Sequence, residues 1–294
     1  MPEAVATFSV IVPTHNRPKS LARCLHSLHA LRYPTAAWEL IVVNDGGPDP
    51  SPLLPEELRS SLRLRLHSIE QRGAAGARNA GASLATGEVL AFLDDDCRAE
   101  PDWLEQLARG FERNPWAALG GRSLNPSPNN LATTCWHSVV DFLYSYLRDE
   151  HGNSLLLVSN NVAYQRAAFE DLGGFDESFL WAEDRDLSIR LLAAHHRQMY
   201  CPQARVWHDQ VRPSAWGYMR QQFRYGRGAH LLERKLARIG LTQRFSALTR
   251  QNRPFRQALW RSLRAQRASP GMWLLINAGQ LSHRLGKYYG ALRS

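Results

Sequence analysis

The first hundred residues alternate short apolar runs with segments of helical periodicity. Four runs predict strands, and the third of them alternates apolar with polar residues: Phe8–Val12, Glu39–Val43, Leu62–Ser68 and Glu88–Leu93. Between these runs, leucines recur at helical spacing from Leu21 to Leu31, and the alanine-rich segment Gly76–Leu84 predicts a further helix. Strands that alternate with helices are typical of an α/β fold, in which helices cover both faces of a mainly parallel sheet.

The pattern is less regular after residue 100. It predicts helices at residues 101–113, 133–147 and 184–194, and strands at residues 117–122, 155–158 and 205–207. From Ser214 onward the chain is basic and mostly helical in pattern. We therefore expect a catalytic domain over residues 1–213, with halves at about 1–100 and 101–213, and a helical extension over residues 214–294.

Polar residues follow three of the predicted strands at the point where each strand ends. Pro13-Thr-His-Asn-Arg17 follows the first strand, Asp45 follows the second, and Asp94-Asp-Asp96 follows the fourth. In open α/β sheets, ligands bind at the carboxyl ends of the strands. Three adjacent carboxylates suit a hard divalent cation such as magnesium or manganese. The alternative interpretation is a solvated acidic turn ahead of the helix that begins near Pro101.

The order of these segments resembles glycosyltransferase family 2, whose members have the GT-A fold. The resemblance rests on residues 8–17, 42–49, 78–81 and 92–96, together with Gly173-Gly-Phe-Asp176 and Trp181-Ala-Glu-Asp184. It extends from residue 8 to about residue 228. It implies a three-layer nucleotide-diphospho-sugar transferase fold and an inverting transfer of one sugar from a nucleotide-sugar donor, typically a UDP-sugar, to a hydroxyl acceptor.

The resemblance also implies which residues bind the donor. Asp45 would accept a hydrogen bond from the base, Arg78 would lie near the ribose and phosphates, and Asp96 would ligate the metal directly. The full set of expected donor-binding residues is Pro13, Thr14, Asn16, Arg17, Asp45, Arg78, Asp94 and Asp95. A diphosphate site needs cations beside its metal, which favours this role for Arg78 over a purely structural helix. The usual Asp-Gly-Ser after the second strand is Asp45-Gly-Gly47 here.

Two acidic residues stand at the start of the predicted helix at 184–194. The resemblance points to Asp184 as the general base that accepts the acceptor's hydroxyl proton, with Glu183 as a second catalytic carboxylate or an acceptor contact. The alternative for both is helix capping. His208 matches a position at which many relatives place a further metal ligand, beside Asp94 and Asp96, although a lone histidine is more often structural. His137 has no comparable context and is given no role.

Gln221-Gln-Phe-Arg-Tyr225 resembles the QxxRW motif of processive polysaccharide synthases, with tyrosine in place of tryptophan. Those enzymes add transmembrane helices, and no run here approaches the roughly 18 to 20 apolar residues that a membrane span needs. We therefore expect transfer of a single sugar, in surface polysaccharide or glycolipid synthesis. Two other functions are considered: a sugar nucleotidyltransferase, which should have a glycine-rich loop after its first strand, and a non-enzymatic protein that binds anionic surfaces.

The positive charge is concentrated at one end of the chain. Residues 210–294 hold 17 lysines and arginines against one acidic residue, Glu233, whereas the whole chain has a net charge of +9. Apolar stripes with tryptophan, at Phe255–Leu263 and Met272–Tyr288, lie beside the arginines. This pattern favours binding to an anionic membrane surface over packing on the catalytic domain. Because no helix-turn-helix, zinc finger or RNP motif is present, no nucleic acid is expected as a partner.

Cysteine usage and the N-terminal residues bear on the compartment. The four cysteines lie far apart, without metal-finger spacing, which favours a reducing compartment. The apolar run Phe8–Val12 is too short for a secretory signal and ends at Pro13. The sequence therefore predicts a cytoplasmic protein, either soluble or peripheral on the inner face of the membrane.

Overall fold

A single mixed sheet forms the centre of the molecule. The structure is a computed structural model that describes residues 6–54, 56, 63–113, 116–148, 153–209, 214–242 and 255–293. Its strands are β1 (Phe8–Thr14), β2 (Trp38–Asp45), β3 (Arg63–Ile69), β4 (Val89–Leu93), β5 (Cys97–Ala99), β6 (Ala118–Leu124), β7 (Asn161–Gln165) and β8 (Gln198–His208). They form one eight-stranded sheet in the order β3-β2-β1-β4-β7-β6-β8-β5.

The first four strands run parallel to one another, and the later strands introduce antiparallel pairs. β1 pairs in parallel with β2 and β4, and β2 pairs in parallel with β3. β7 is antiparallel to both β4 and β6, and β5 is antiparallel to β8, while β6 and β8 are parallel. The carboxyl ends of β1, β2 and β4 therefore lie side by side, as the sequence predicts for its polar turns.

One predicted strand is wrong. Residues 155–158 are not a strand; the chain pairs with β4 a few residues later, at β7. The backbone of this apolar segment bonds outside the sheet, because Leu155 donates to the Leu147 carbonyl (2.8 Å) and Leu157 donates to Ser188 Oγ (3.1 Å). Leu157 instead joins the core on one side of the sheet, and Val158 packs against the same core.

Helices cover both faces of the sheet, as predicted. In the described part of the chain they are α1 (Pro18–His29), α2 (Gly73–Ser83), α3 (Trp103–Glu112), α4 (Leu131–Tyr146), α5 (Arg166–Asp171), α6 (Glu183–Ala193), α7 (Ala215–Arg238), α8 (Phe255–Ala265) and α9 (Pro270–Leu292), with short 3-10 helices at Thr35–Ala37 and Ser51–Leu53. Successive residues of a strand face opposite sides. Val10 and Val12 therefore join the core beneath α1 and α3, whereas Ile11 joins the core beneath α2.

The C-terminal helices pack on one another and on the catalytic domain. α7 and α9 run parallel, since Tyr218, Phe223 and His230 lie beside Gly279, Gly286 and Gly290 in the same order. α8 and α9 also form a core with α4, to which Trp136, Tyr218, Leu259 and Ile276 contribute. Across the described ranges, every helix is too short or too polar to cross a membrane.

Candidate active site

The acidic triplet lies in the turn between β4 and β5. β4 is apolar and fully buried between β1 and β7, and the acidic turn begins where this strand ends. In the turn that follows, Cys97 N–H donates to the Asp94 carbonyl (2.9 Å), and Asp94 N–H donates to the Asn160 carbonyl (3.3 Å). Asp95 is completely buried and Asp96 is 5% exposed. Carboxylates placed so close together in a buried turn require positive charge.

Residues from the end of β1 supply part of that charge. Arg17 contacts Asp95 Oδ1 and Asp96 Oδ2, both at 2.7 Å, and Thr14 Oγ1 donates to Asp95 Oδ2 at 2.6 Å. The contacts form because β1 and β4 are parallel neighbours whose ends coincide. Burial raises the pKa of Asp95 to about 7, and the charges of Asp96 and Asp94 add to this effect, whereas Arg17 and Thr14 oppose it. The arginine alone therefore leaves the turn short of positive charge.

Arg78 joins the triplet to the second acidic pair. Its side chain is 3% exposed, and its guanidinium contacts Asp94 Oδ1 at 2.6 Å and Glu183 Oε1 at 3.0 Å. It also lies over the ring of Phe175, 5.6 Å from the centroid. Burial opposes its charge, but Asp94 and Glu183 outweigh burial and raise the pKa of Arg78. One buried cation thus connects residues that sequence reasoning assigned to the donor half and to the acceptor half.

Asp45 ends β2 and binds the start of α2. Its two carboxylate oxygens accept from the backbone N–H groups of Arg72 (2.7 Å) and Gly73 (2.9 Å), and its carbonyl contacts His15 Nδ1 at 2.6 Å. Each carboxylate oxygen has a second lone pair, so a further donor can still bind. The other expected donor residues, Pro13, Thr14, Asn16 and Arg17, lie at or just after the end of the neighbouring strand β1. The structure therefore brings the expected donor-binding residues to one edge of the sheet.

Three residues at the triplet could hold a metal ion. Ligand atoms of Asp96, Cys97 and His208 all lie within 4.8 Å of one another, and His208 Nε2 is 3.4 Å from Asp96 Oδ1. Carboxylate and imidazole ligands suit manganese. Burial raises the pKa of the Cys97 thiol well above its usual value, and Asp96 and Asp94 add to that effect, which disfavours the thiolate form that binds metals. The residues present thus fit a divalent cation through Asp96 and His208.

His208 ends β8 within a cluster of rings that the sequence did not reveal. It lies against Trp136 and near His137, with centroid separations of 4.8 and 6.1 Å. His208 Nδ1 is buried and has no hydrogen-bond partner among the residues described. The next residue, Asp209, donates its N–H to the Asp96 carbonyl (2.7 Å), which holds the histidine beside the triplet. His137 was given no role because it is 71 residues away in sequence from the position it joins, and nothing local marks it.

Glu183 and Asp184 begin α6 after a strained residue. Ala182 has a φ of 90°, a left-handed conformation that is costly for a residue with a Cβ atom. Burial raises the pKa of Glu183 to about 7, with the charges of Asp184 and Asp94 acting in the same direction and Arg78 opposing them. Asp184 Oδ1 accepts from the Arg185 N–H at 2.7 Å, and among the residues described its Oδ2 has only a long contact, 3.4 Å, with the Ser159 N–H.

Helix α7 braces the loop that leads to this acidic pair. A Cβ atom at Gly228 would lie 2.3 Å from the Trp181 carbonyl oxygen, so only glycine permits this approach. Arg224 and Arg227 both lie 5.7 Å from the Trp181 ring centroid. Arg224 belongs to the segment that resembles QxxRW, so this segment contacts the loop of the acidic pair.

A second contact of α7 reaches α6 itself. Lys235 Nζ contacts Asp176 Oδ2 (2.7 Å) and the fully buried Asp186 (Oδ1, 2.6 Å). Asp186 also pairs with Arg190 at 2.7 Å. Nothing in the sequence distinguishes this lysine from the many other basic residues of the extension. The C-terminal extension therefore supports the acidic pair at two points.

Relatives of known activity match most of the catalytic domain. The family model described as Glycosyl transferase family 2 matches residues 9–173. The glucosyl-dolichyl phosphate glucuronosyltransferase of Haloferax volcanii is 31% identical over 218 residues, which cover 68% of each protein. The pre-mycofactocin glycosyltransferase of Mycobacterium tuberculosis is 32% identical over 216 residues, which cover 68% of this chain but 42% of that protein.

Solved structures extend the similarity to the whole fold. The mannosyltransferase PcManGT from Pyrobaculum calidifontis, in complex with GDP-Man and Mn2+, has a TM-score of 0.65 and 19% identity, covering 99% of this chain and 84% of that chain. S. aureus TarS 1-349 in complex with UDP-GlcNAc has a TM-score of 0.55 and 21% identity, and the match covers 75% of this chain and 65% of the TarS chain. The predicted GT-A fold is thereby confirmed.

The relatives also decide between the functions that the sequence left open. Because the matched proteins are named glycosyltransferases, neither a nucleotidyltransferase nor a non-enzymatic binding protein describes this chain. The predicted family resemblance is confirmed. The chain belongs to glycosyl transferase family 2 and is a glycosyltransferase.

Proposed function

We propose that this enzyme transfers one sugar, with inversion, from a nucleotide-sugar donor held at Asp94–Asp96 to a hydroxyl acceptor held near Asp184. The observation that carries the proposal is the continuous line of charges from the half-exposed Arg17, through the triplet, to the buried Arg78 and Glu183. This line ends at Glu183, next to Asp184, and it begins beside the carboxyl ends of β1, β2 and β4. Such an arrangement provides a diphosphate site and a base within one cleft.

Asp45 limits which nucleotide the donor carries. A carboxylate accepts hydrogen bonds but does not donate them, so it favours a base that presents an N–H group. Uracil offers N3–H and guanine offers N1–H, whereas adenine and cytosine present an acceptor at the equivalent ring nitrogen. We propose a UDP-sugar as the donor, with a GDP-sugar as the second choice. The structures of PcManGT with GDP-Man and TarS with UDP-GlcNAc support these two classes.

The metal site belongs to the same proposal. Asp96, His208 and Asp94 are the residues that would hold manganese or magnesium. When bound there, the cation would stabilise the negative charge that develops on the departing diphosphate. Arg17 and Arg78 would contribute further positive charge beside the phosphates, because both guanidinium groups already contact the triplet. The relative PcManGT was solved with Mn2+, which supports this assignment.

Asp184 is the proposed general base. Within the described part of the chain, its Oδ2 has only a 3.4 Å backbone contact, whereas Arg78 contacts the Glu183 carboxylate at 3.0 Å. Oδ2 would accept the acceptor's hydroxyl proton as that oxygen bonds to the anomeric carbon, while the bond from that carbon to the diphosphate breaks on the opposite side. Attack from the opposite side inverts the anomeric configuration. Glu183 would hold Arg78 and contact the acceptor.

The names of the relatives and the charge of the extension support a class of acceptor and a location. A relative acts on glucosyl-dolichyl phosphate by its name, and others are named for O-antigen and validoxylamine A chemistry. These names support a lipid-linked, glycan or small hydroxyl acceptor, in surface polysaccharide or glycolipid synthesis. The basic extension supports a protein that is cytoplasmic and peripheral on the inner face of the membrane, with the domain boundary near residue 213.

A donor panel tests the proposal. The purified chain is mixed with UDP-, GDP-, ADP- and CDP-sugars, with manganese or with a chelator, and binding and donor hydrolysis are measured. The expected result is metal-dependent binding and turnover of a UDP-sugar or a GDP-sugar. Asp45→Ala should weaken binding of that donor, because the base loses its carboxylate partner. Preference for ADP- or CDP-sugars, or turnover unaffected by the chelator, would overturn the proposal.

A further inference from the structure

Helix α9 carries a line of exposed apolar side chains. Leu274, Leu281, Leu285, Tyr288 and Leu292 are between 53% and 75% exposed. Their spacing of seven, four, three and four residues follows the helical repeat, so they lie on one face of the helix. We call this face the α9 stripe. Its residues span about 27 Å of helix at 1.5 Å per residue.

The α9 stripe points away from the rest of the protein. The face that packs on α7 contains Gly279, Gly286 and Gly290, with a Cβ atom at Gly286 lying only 2.0 Å from the Phe223 carbonyl oxygen. Stepping about 100° per residue from those glycines places Leu281, Leu285 and their companions on the opposite side of the helix. This packing is too close for α9 to rotate, so the stripe cannot turn inward.

Cations lie directly beside the stripe. Arg256 and Trp260 on α8 line one groove together with Leu281 and Arg284 on α9. Arg256 lies 5.6 Å from the ring centroid of Trp260, and Arg261 and Arg264 border the same helix face. The groove therefore presents guanidinium groups at the edge of an apolar surface.

The structure separates the apolar residues of the extension, for which the sequence predicts membrane binding, into buried and exposed sets. Leu259 and Leu263 of α8 are buried, and Phe255 packs against the same core beside α4. These three residues form an internal contact with the catalytic domain. Of the apolar residues noted on α8, Trp260 is 37% exposed and borders the groove.

The charge of the residues around the α9 stripe indicates which kind of partner binds there. Residues 210–294 contain one acidic residue, Glu233, and its carboxylate already pairs with Lys287 at 2.7 Å. A second copy of this chain docked symmetrically on the stripe would bring arginines against arginines, with no carboxylate to separate them. Nucleic acid would match the arginines but would leave the leucines in water. An interface with anionic headgroups above acyl chains matches both features.

We propose that the α9 stripe and the α8–α9 groove form one docking surface for an anionic phospholipid bilayer. The leucines enter the acyl boundary, and Arg256, Arg284 and their neighbours meet the headgroup phosphates. The helix lies in the plane of the membrane, since its polar and glycine-containing face is occupied by α7. This inference rests on the membrane partner in the proposed function and specifies the surface that makes the contact.

Vesicle flotation of the full chain tests the surface. The wild type should float with phosphatidylcholine vesicles that contain phosphatidylglycerol, and at least about tenfold less with phosphatidylcholine alone. The double variant L281S/L285S should partition at least about tenfold more weakly, because two leucines no longer enter the bilayer. Leu231→Ser, an exposed leucine of α7 off the stripe, is the matched control and should float as the wild type does.

A charge series separates the groove from net charge. R256E/R284E should lose binding to the anionic vesicles, whereas the double reversal R109E/R122E, at exposed arginines of α3 and β6, changes the net charge by the same amount and should change binding little. A failure of the wild type to float, or equal losses in L231S and L281S/L285S, would overturn the inference. So would a dimer in solution that L281S/L285S dissolves while vesicle binding is absent. Donor hydrolysis without vesicles, expected to be unchanged in L281S/L285S, distinguishes this failure from a failure of the proposed chemistry.

Discussion

Replacing Arg78 with methionine should cost both stability and donor binding. Arg78 is 3% exposed and holds Asp94 at 2.6 Å and Glu183 at 3.0 Å. Methionine keeps much of the apolar stem beside Phe175 but removes the positive guanidinium group that contacts both carboxylates. Breaking a buried ion pair by removing one partner costs about 3–5 kcal/mol, because the remaining charge stays buried without compensation.

For Arg78→Met, the structure favours the lower end of this range of energetic costs. Asp94 is 22% exposed, so water can partly solvate it, and Glu183 has a pKa of about 7, raised chiefly by burial. Near neutral pH, Glu183 can therefore take up a proton when its partner is removed. We expect Arg78→Met to lower the free energy of unfolding by about 3 kcal/mol at pH 7.5. Adding Glu183→Gln to this variant should recover about 1 kcal/mol, since the amide carries no charge.

Urea denaturation in the presence of a chelator measures these changes. Arg122→Met is the matched control, because Arg122 pairs with Asp141 at 3.4 Å with both side chains well exposed, and it should cost at most about 1 kcal/mol. Calorimetric titration of the donor should show weakened binding in Arg78→Met and unchanged binding in Arg122→Met. A stability loss in Arg78→Met no larger than that of Arg122→Met would refute the account of the buried charge line.

Three further predictions concern the acidic pair and its brace. Asp184→Asn should lower kcat by about 100- to 10,000-fold while donor affinity, measured by titration, is retained; loss of donor binding would contradict the assignment as base. Glu183→Gln should remove a pH dependence of stability. The Glu183 carboxyl group has a pKa of about 7 in the folded state, above its ordinary value of 4.5, so the folded protein binds more protons than the unfolded protein. In a denaturation series, the stability of the wild type should therefore fall relative to that of the variant as the pH rises from about 5 to 7.5. Parallel curves for the two proteins would count against that pKa. Gly228→Ala should cost about 1–3 kcal/mol and lower kcat, because its Cβ atom would meet the Trp181 carbonyl at 2.3 Å, whereas Gly217→Ala in the same helix, with only an ordinary 3.5 Å contact, should be neutral or slightly stabilising in the same thermal melts.

The parallel half of the fold could be predicted because its signals are local. β1, β2 and β4 are largely apolar runs, and polar residues mark where each of them ends, as at Asp94. β7 could not be found this way, since Asn161–Gln165 is short and begins and ends with polar residues. The neighbouring apolar segment at 155–158 looks more like a strand, but Leu157 joins the core and its N–H donates to Ser188 Oγ rather than to a neighbouring strand.

The site was predictable as a set of residue types but not as a set of contacts. The sequence singled out Arg17, Arg78 and the triplet, yet it could not show that one arginine would contact Asp95 and Asp96 or that the other would also contact Glu183, 105 residues away. Such pairs depend on how distant strands and helices meet. The role of Lys235 could not be predicted for the same reason. Only the packing of α7 on α6 distinguishes this lysine from the other basic residues of the extension.

Metal-dependent donor binding, compared between the wild type and Asp96→Asn, tests the central claim most directly. Asparagine preserves the shape of the side chain but removes the charge at the residue expected to ligate the cation. Titration of the preferred UDP- or GDP-sugar with manganese should give clear binding to the wild type and at least about tenfold weaker binding to the variant. With a chelator, both proteins should bind the donor equally weakly. Donor binding that is independent of manganese in the wild type, or unchanged in Asp96→Asn, would contradict the account.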